Sequence, residues 1–106
     1  MPPFDKIHRA LRKHDITDGR ATVTAAATAE ALSATSLVVD YIIITAETNN
    51  TGVMAVGAST VVATVNTRRG TPLNAGDSMT LDTVDLAEVY LDATVSGDGV
   101  TYLYAE

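Results

Sequence analysis

Val89-Tyr90-Leu91-Asp92-Ala93-Thr94-Val95, Ser96-Gly97-Asp98-Gly99, Val100-Thr101-Tyr102-Leu103-Tyr104: the fold reading turns on this stretch. Alternation places Val89, Leu91, Ala93 and Val95 on one strand face, and Val100, Tyr102 and Tyr104 on one face of the next. The Gly-rich tetrapeptide between them has turn chemistry, so the sequence predicts a terminal β-hairpin.

Working back from it, the β signal continues to Leu37. Leu37–Ala46 is rich in β-branched residues and reads as a central strand covered on both faces. Asn49, Asn50 and Gly52 mark a turn within Glu47–Gly52. Val53–Ala58 and Val61–Val65 read as short strands, Asn66–Asp77 as a loop, Ser78–Leu81 as a strand and Asp82–Ala87 as a connection. Short strands with Gly-rich turns predict an all-β chain, an antiparallel β-sandwich or barrel of jelly-roll-like type. Ala21–Ser36 is a low-complexity run of Ala, Thr and Ser, read as a strand followed by extended chain, although its alanines equally support a helix.

The first twenty residues differ in kind. Lys6, Arg9, Arg12, Lys13 and Arg20 against Asp5, Asp15 and Asp18 give a net +2, while the remainder carries two basic against ten acidic groups, a net −8. Phe4, Ile7 and Leu11 recur at helical spacing over residues 3–14, with Pro3 suited to the first turn and Gly19 or the residues before it as the stop. The expected organisation is a basic, partly helical arm over 1–20 and a β-sandwich domain over 21–106. So short a helix is marginal alone, and its stripe needs a docking surface.

Composition narrows the chemistry. There is no Cys, hence neither a disulfide nor a thiolate metal site. No secretory signal is read at the N-terminus, and no run approaches the roughly 20 apolar residues of a membrane span. A soluble chain is expected. The 106 residues suffice for one domain, whose aromatics are Phe4, Tyr41, Tyr90, Tyr102 and Tyr104. So thin an aromatic content favours self-association.

Nucleophilic catalysis needs a hydroxyl or thiol beside a base. Residues 21–106 contain neither His nor Lys; His8 and His14 both lie in the arm, off the spacing of a helical metal pair. Asp77, Asp82, Asp85, Glu88, Asp92 and Asp98 cluster in sequence, but Asp92 points opposite to Leu91 and most of the others lie in or beside turns. Turn capping and solvation explain them better than acid–base work, and Asp82, Asp85 and Glu88 lack the calcium-loop spacing. No enzyme activity, cofactor or metal is expected. Arg68 and Arg69 are a second candidate contact, at a loop tip. The net charge of −6 opposes nucleic-acid binding, and an acidic protein surface with an apolar groove suits the arm better.

From residue 31 onward the chain resembles small virion proteins of tailed bacteriophages, the head-decoration and other head- or tail-associated components. The likeness is carried by Ala31–Ser36, Asn50-Thr51-Gly52-Val53-Met54-Ala55-Val56-Gly57 and Gly70-Thr71-Pro72-Leu73-Asn74-Ala75-Gly76-Asp77-Ser78-Met79-Thr80-Leu81. It continues through Asp85–Asp92 and Gly97–Tyr104. The resemblance implies a non-catalytic β-sandwich, made in the host cytoplasm and built into the virion, that stabilises the capsid surface as a decoration or cement subunit. The implied partner is the major capsid protein or another virion protein, with homo-oligomers, trimers above all. A neck, collar or tail-fibre role with receptor or glycan binding is the alternative; an exposed Tyr102 or Tyr104 beside Asp92 or Asp98 would mark it. Phe4, Lys6, Ile7, Arg9, Leu11, Arg12, Lys13, Arg68 and Arg69 are the expected partner-binding residues.

Overall fold

The β-branched run after Leu37 forms the longest strand, and the other elements are arranged around it. In the computed structural model, which describes residues 15–106, the strands are β1 (Ile16–Thr22), β2 (Glu30–Ala31), β3 (Val38–Ala46), β4 (Met54–Gly57), β5 (Thr71–Leu73), β6 (Ser78–Asp85), β7 (Tyr90–Ala93) and β8 (Gly99–Ala105). No α-helix occurs among the described residues; Val65–Thr67 and Leu86–Glu88 are single 3₁₀ turns. The helix expected over residues 3–14 lies outside the described residues. The described part of the chain is thus all-β.

The strands form two four-stranded sheets, sheet A in the order β1-β8-β3-β6 and sheet B in the order β2-β7-β4-β5, and every ladder is antiparallel. One core lies between them. Ile42 and Ile44 of β3 and Val100 of β8 share it with Met54 and Val56 of β4, Leu73 of β5, and Leu91 and Ala93 of β7. Each large aliphatic side chain so enclosed contributes about 1.5–3 kcal/mol. Val39 and Ile42 are both buried although three residues apart, so the pleat slips between them. Thr83, in the facing part of β6, has φ 45°.

The expected terminal hairpin is not formed. Its strand positions are right, but β7 belongs to sheet B and β8 to sheet A, so Thr94–Asp98 is a corner between sheets. Other expectations are corrected as well. Ile16–Arg20, assigned to the arm, belong to β1, which runs across the expected boundary at residue 20. Thr71–Leu73, inside the expected loop, form β5, and β6 continues past Leu81 to Asp85.

Val61–Val65 is no strand. Val62 and Arg69 close an isolated bridge, and the segment folds as a flap. Ala55, Val61 and Ala63 form a second small cluster with Ala29 and Tyr90 packed on it. Ala55 and Tyr90 alternate with core residues, so the flap covers the outer face of sheet B. Its return is tight: Gly70 has φ 101°, and a Cβ there would lie 2.6 Å from the Val56 carbonyl oxygen.

Candidate interaction surface

The acidic residues that cluster in sequence are separated by the fold and bonded to backbone. Asp98 is buried at the sheet-to-sheet corner, where its Oδ1 accepts the Thr51 N–H at 3.1 Å and its Oδ2 the Gly52 N–H at 2.8 Å. Asn50 answers from the other side: its Nδ2 donates to the Gly99 carbonyl at 2.9 Å, and its Oδ1 accepts the Gly99 N–H at 3.0 Å. The Asn-Thr-Gly and Gly-Asp-Gly turns are therefore clamped to each other, one from β3–β4 and one from β7–β8.

Asp85 accepts from the Ser36 hydroxyl and from the N–H groups of Leu37 (3.0 Å) and Ala87 (2.9 Å). The Ser36 bond first, and the backbone bonds after it, hold its carboxyl below the ordinary value against the opposing effect of desolvation. Asp77 accepts the Asn74 N–H at 3.0 Å within its own turn. For these three the turn reading of the sequence matches their bonding.

For Asp92 it does not. This side chain points away from Leu91 as expected, but that face lies under the flap, and Asp92 is 1% exposed. Its Oδ2 accepts the Ala63 N–H at 2.8 Å, while the Arg68 Nε donates to the Ala63 carbonyl at 3.0 Å. Asp92 Oδ1 and Arg68 Nη2 are buried with no hydrogen-bond partner among the described residues. Arg68 thus turns inward to brace the flap, and of the expected pair Arg69 is the exposed member. Alternation along β7 could show which way Asp92 points, but not that the segment carrying Val61 and Ala63 folds over it.

The other expected contact residues, Phe4, Lys6, Ile7, Arg9, Leu11, Arg12 and Lys13, lie outside the described residues, as do His8 and His14. Among the described residues no three His, Cys, Asp or Glu side chains gather as they would around a metal ion. Nor, among them, is any helix long and apolar enough to cross a membrane.

Tyr102 and Tyr104 are half-buried, pack on the core, and stack on each other with ring centroids 6.1 Å apart. Asp92 and Asp98 are enclosed elsewhere, so the exposed ring beside an acid that would mark sugar binding is not formed by these residues.

Among the described residues the outer face of sheet A is open. There β1, β8 and β3 bring Asp18, Leu103 and Ile43 into one row and Arg20, Thr101 and Thr45 into the next. These residues line a shallow groove of about 570 Å³. Arg20 Nε reaches Glu47 Oε2 at 2.8 Å along its rim. At the end of β1, Ile16 is 64% exposed. The sequence reading missed this face because it assigned Asp18 and Arg20 to the arm. Their alternation with Gly19 and Ala21 was the available signal.

Comparison with known proteins gives no match for this chain, neither to a family model, nor to a curated protein, nor to a solved structure.

Proposed function

We propose that this chain is a non-enzymatic structural protein of a tailed-phage virion, a decoration subunit that binds and stabilises the outside of the head shell. The observation that carries the reading is the strand order. With 1-8-3-6 in one sheet and 2-7-4-5 in the other, the wiring is that of a jelly-roll sandwich, an architecture of viral shell proteins and of lectin domains. The phage resemblance, carried by residues from Ala31 onward, supports the first of these. Within this body Asp77, Asp85, Asp92 and Asp98 hold backbone N–H groups in place, which suits a rigid adhesive module.

Attachment runs through the basic leader. Phe4, Ile7 and Leu11 enter an apolar groove on the capsid protein, and Lys6, Arg9, Arg12 and Lys13 face acidic groups around it; Arg69 is a second contact. Many copies, each bridging neighbouring shell subunits, add their binding free energy to the intact shell and oppose its expansion or rupture.

The experiment compares purified shells mixed with the full chain and with a variant lacking residues 1–14. The deletion stops there because removal of Ile16–Arg20 would take β1 from sheet A. The full chain is expected to co-sediment with shells, at an affinity that falls as salt rises, and to form repeated density on their surface when imaged. The truncated chain is expected to keep its β circular-dichroism spectrum and to lose co-sedimentation. Unchanged binding by the truncated chain removes the leader mechanism; no binding by the full chain removes the decoration reading.

A further inference from the structure

Among the described residues β1 pairs only with β8, so one side of this seven-residue strand is an open edge. The ends of the strand show which backbone groups face it. The Asp15 carbonyl accepts the Glu106 N–H at 3.1 Å; Val23 donates to the Asp98 carbonyl and accepts from Gly97, both at 2.9 Å. The register between these points is unbroken, from Ile16 opposite Ala105 to Thr22 opposite Gly99. Odd-numbered residues therefore turn their N–H and C=O toward β8. Those of Ile16, Asp18, Arg20 and Thr22 face the open side.

We propose that this edge is a self-association surface: two copies pair β1 with β1 antiparallel, about a twofold axis at Gly19, and join their sheets A into one continuous sheet. The edge is complementary to itself in that register. Asp18 lies opposite Arg20 of the second copy, and Arg20 opposite its Asp18, so the ion pair forms twice. Ile16 lies opposite Thr22. All these residues have outward backbone groups, so every outward N–H meets an outward C=O.

The neighbouring registers are penalised. Moving the axis by one residue toward the N-terminus sets Asp18 against Asp18, and moving it the other way sets Arg20 against Arg20. Intermediate registers would oppose outward groups with inward ones.

Gly19 fits the axis. Across a non-hydrogen-bonded antiparallel pair the Cα atoms approach to about 4.5 Å. The inner side of Gly19 is already filled by its own chain's Tyr102, whose hydroxyl oxygen would clash with a Cβ at that position. The opposite edge of sheet A is blunted by comparison. β6 carries Asp82 and Asp85, and Thr83 at φ 45° interrupts its regular backbone. The pairing does not depend on the virion reading. It is twofold, whereas the phage resemblance implies trimers.

The test measures the mass of the full chain by sedimentation equilibrium, with backbone amide exchange followed above and below the dissociation range. A dimer is expected. Dilution is expected to speed exchange at Ile16, Asp18, Arg20 and Thr22 and to leave Thr17, Gly19 and Ala21 protected by β8. Asp18→Arg, which sets like charges opposite each other in both pairs, is expected to raise the dimer Kd about tenfold or more. Adding Arg20→Asp to that variant restores opposite charges and is expected to recover the affinity to within about threefold, despite loss of the Arg20–Glu47 contact. Circular dichroism confirms folding of each variant. A monomeric or trimeric mass overturns the proposal. So does a dimer indifferent to Asp18→Arg, or one whose dilution leaves exchange at the four outward amides unchanged.

Discussion

Replacing Asp98 by Ala tests what holds the two sheets together at their corner. The side chain is 6% exposed and accepts two backbone N–H bonds, at 3.1 and 2.8 Å, from the turn between β3 and β4. A hydrogen bond to a charged group is worth roughly 1.5–3 kcal/mol. Thr51 is exposed, so its N–H regains water when the carboxylate is removed; Gly52 is half-buried and regains less. The expected loss is therefore about 2–4 kcal/mol, below the sum of two full bonds. At roughly 4–8 °C per kcal/mol for a domain of this size, Tm falls by about 10–25 °C. Urea unfolding followed by circular dichroism reads the change, with the m-value expected to stay constant. Asp98→Asn keeps one acceptor and is expected to lose about half as much. Asn50→Ala removes the reciprocal bonds to Gly99, so the double variant should be non-additive, with a coupling of at least about 0.5 kcal/mol. A loss below about 0.5 kcal/mol for Asp98→Ala would refute the corner clamp, since surface substitutions do as little.

Gly70→Ala is expected to destabilise by about 1–3 kcal/mol or more, because φ 101° and the Val56 carbonyl at 2.6 Å leave the new methyl nowhere to go; thermal unfolding measures it. Ser36→Ala removes the largest influence lowering the Asp85 carboxyl. Because the folded-state value is depressed, Asp85 stabilises the fold above the ordinary carboxylate value and ceases to do so as pH falls through its folded value. The variant should therefore lose less stability across that acid window, and the Asp85 carboxyl resonance should titrate closer to its ordinary value. Asp92→Ala frees the buried Ala63 N–H at a cost of about 1–3 kcal/mol. Asp92→Asn retains an acceptor for the Ala63 N–H, and denaturant unfolding should place it closer to the parent chain.

Strand positions were largely legible because alternation and β-branching are local: β3, β4, β7 and β8 lie where Val, Ile, Leu and Tyr alternate or run together. Strand partners were not. Ser96-Gly97-Asp98-Gly99 has hairpin chemistry, yet its carboxylate is satisfied by Thr51 and Gly52, more than forty residues away in sequence. Nothing local distinguishes a turn that returns along its own sheet from one that crosses to the other. Ile16–Arg20 were misassigned because the charges on Asp18 and Arg20 resemble those of the arm, although an edge strand tolerates charge on its solvent face. Of the expected contact residues, the structure bears on Arg68 and Arg69 alone. It separates two neighbours that the sequence treats alike: one guanidinium is bonded within the flap, and the other side chain is outside.

Among the described strands only the β4–β5 ladder joins consecutive elements; β1 waits for β8, β2 for β7 and β3 for β6. During synthesis β1 finds its place only when β8 has left the ribosome, since β8 is the wedge between β1 and β3. Folding is consequently slow for a chain this short, on the order of milliseconds to seconds, as for other sandwiches dominated by distant pairings. A nascent or prematurely terminated chain lacking Gly99–Ala105 keeps β1 and β3 uncoupled, and its bare strands are then targets for aggregation or proteolysis.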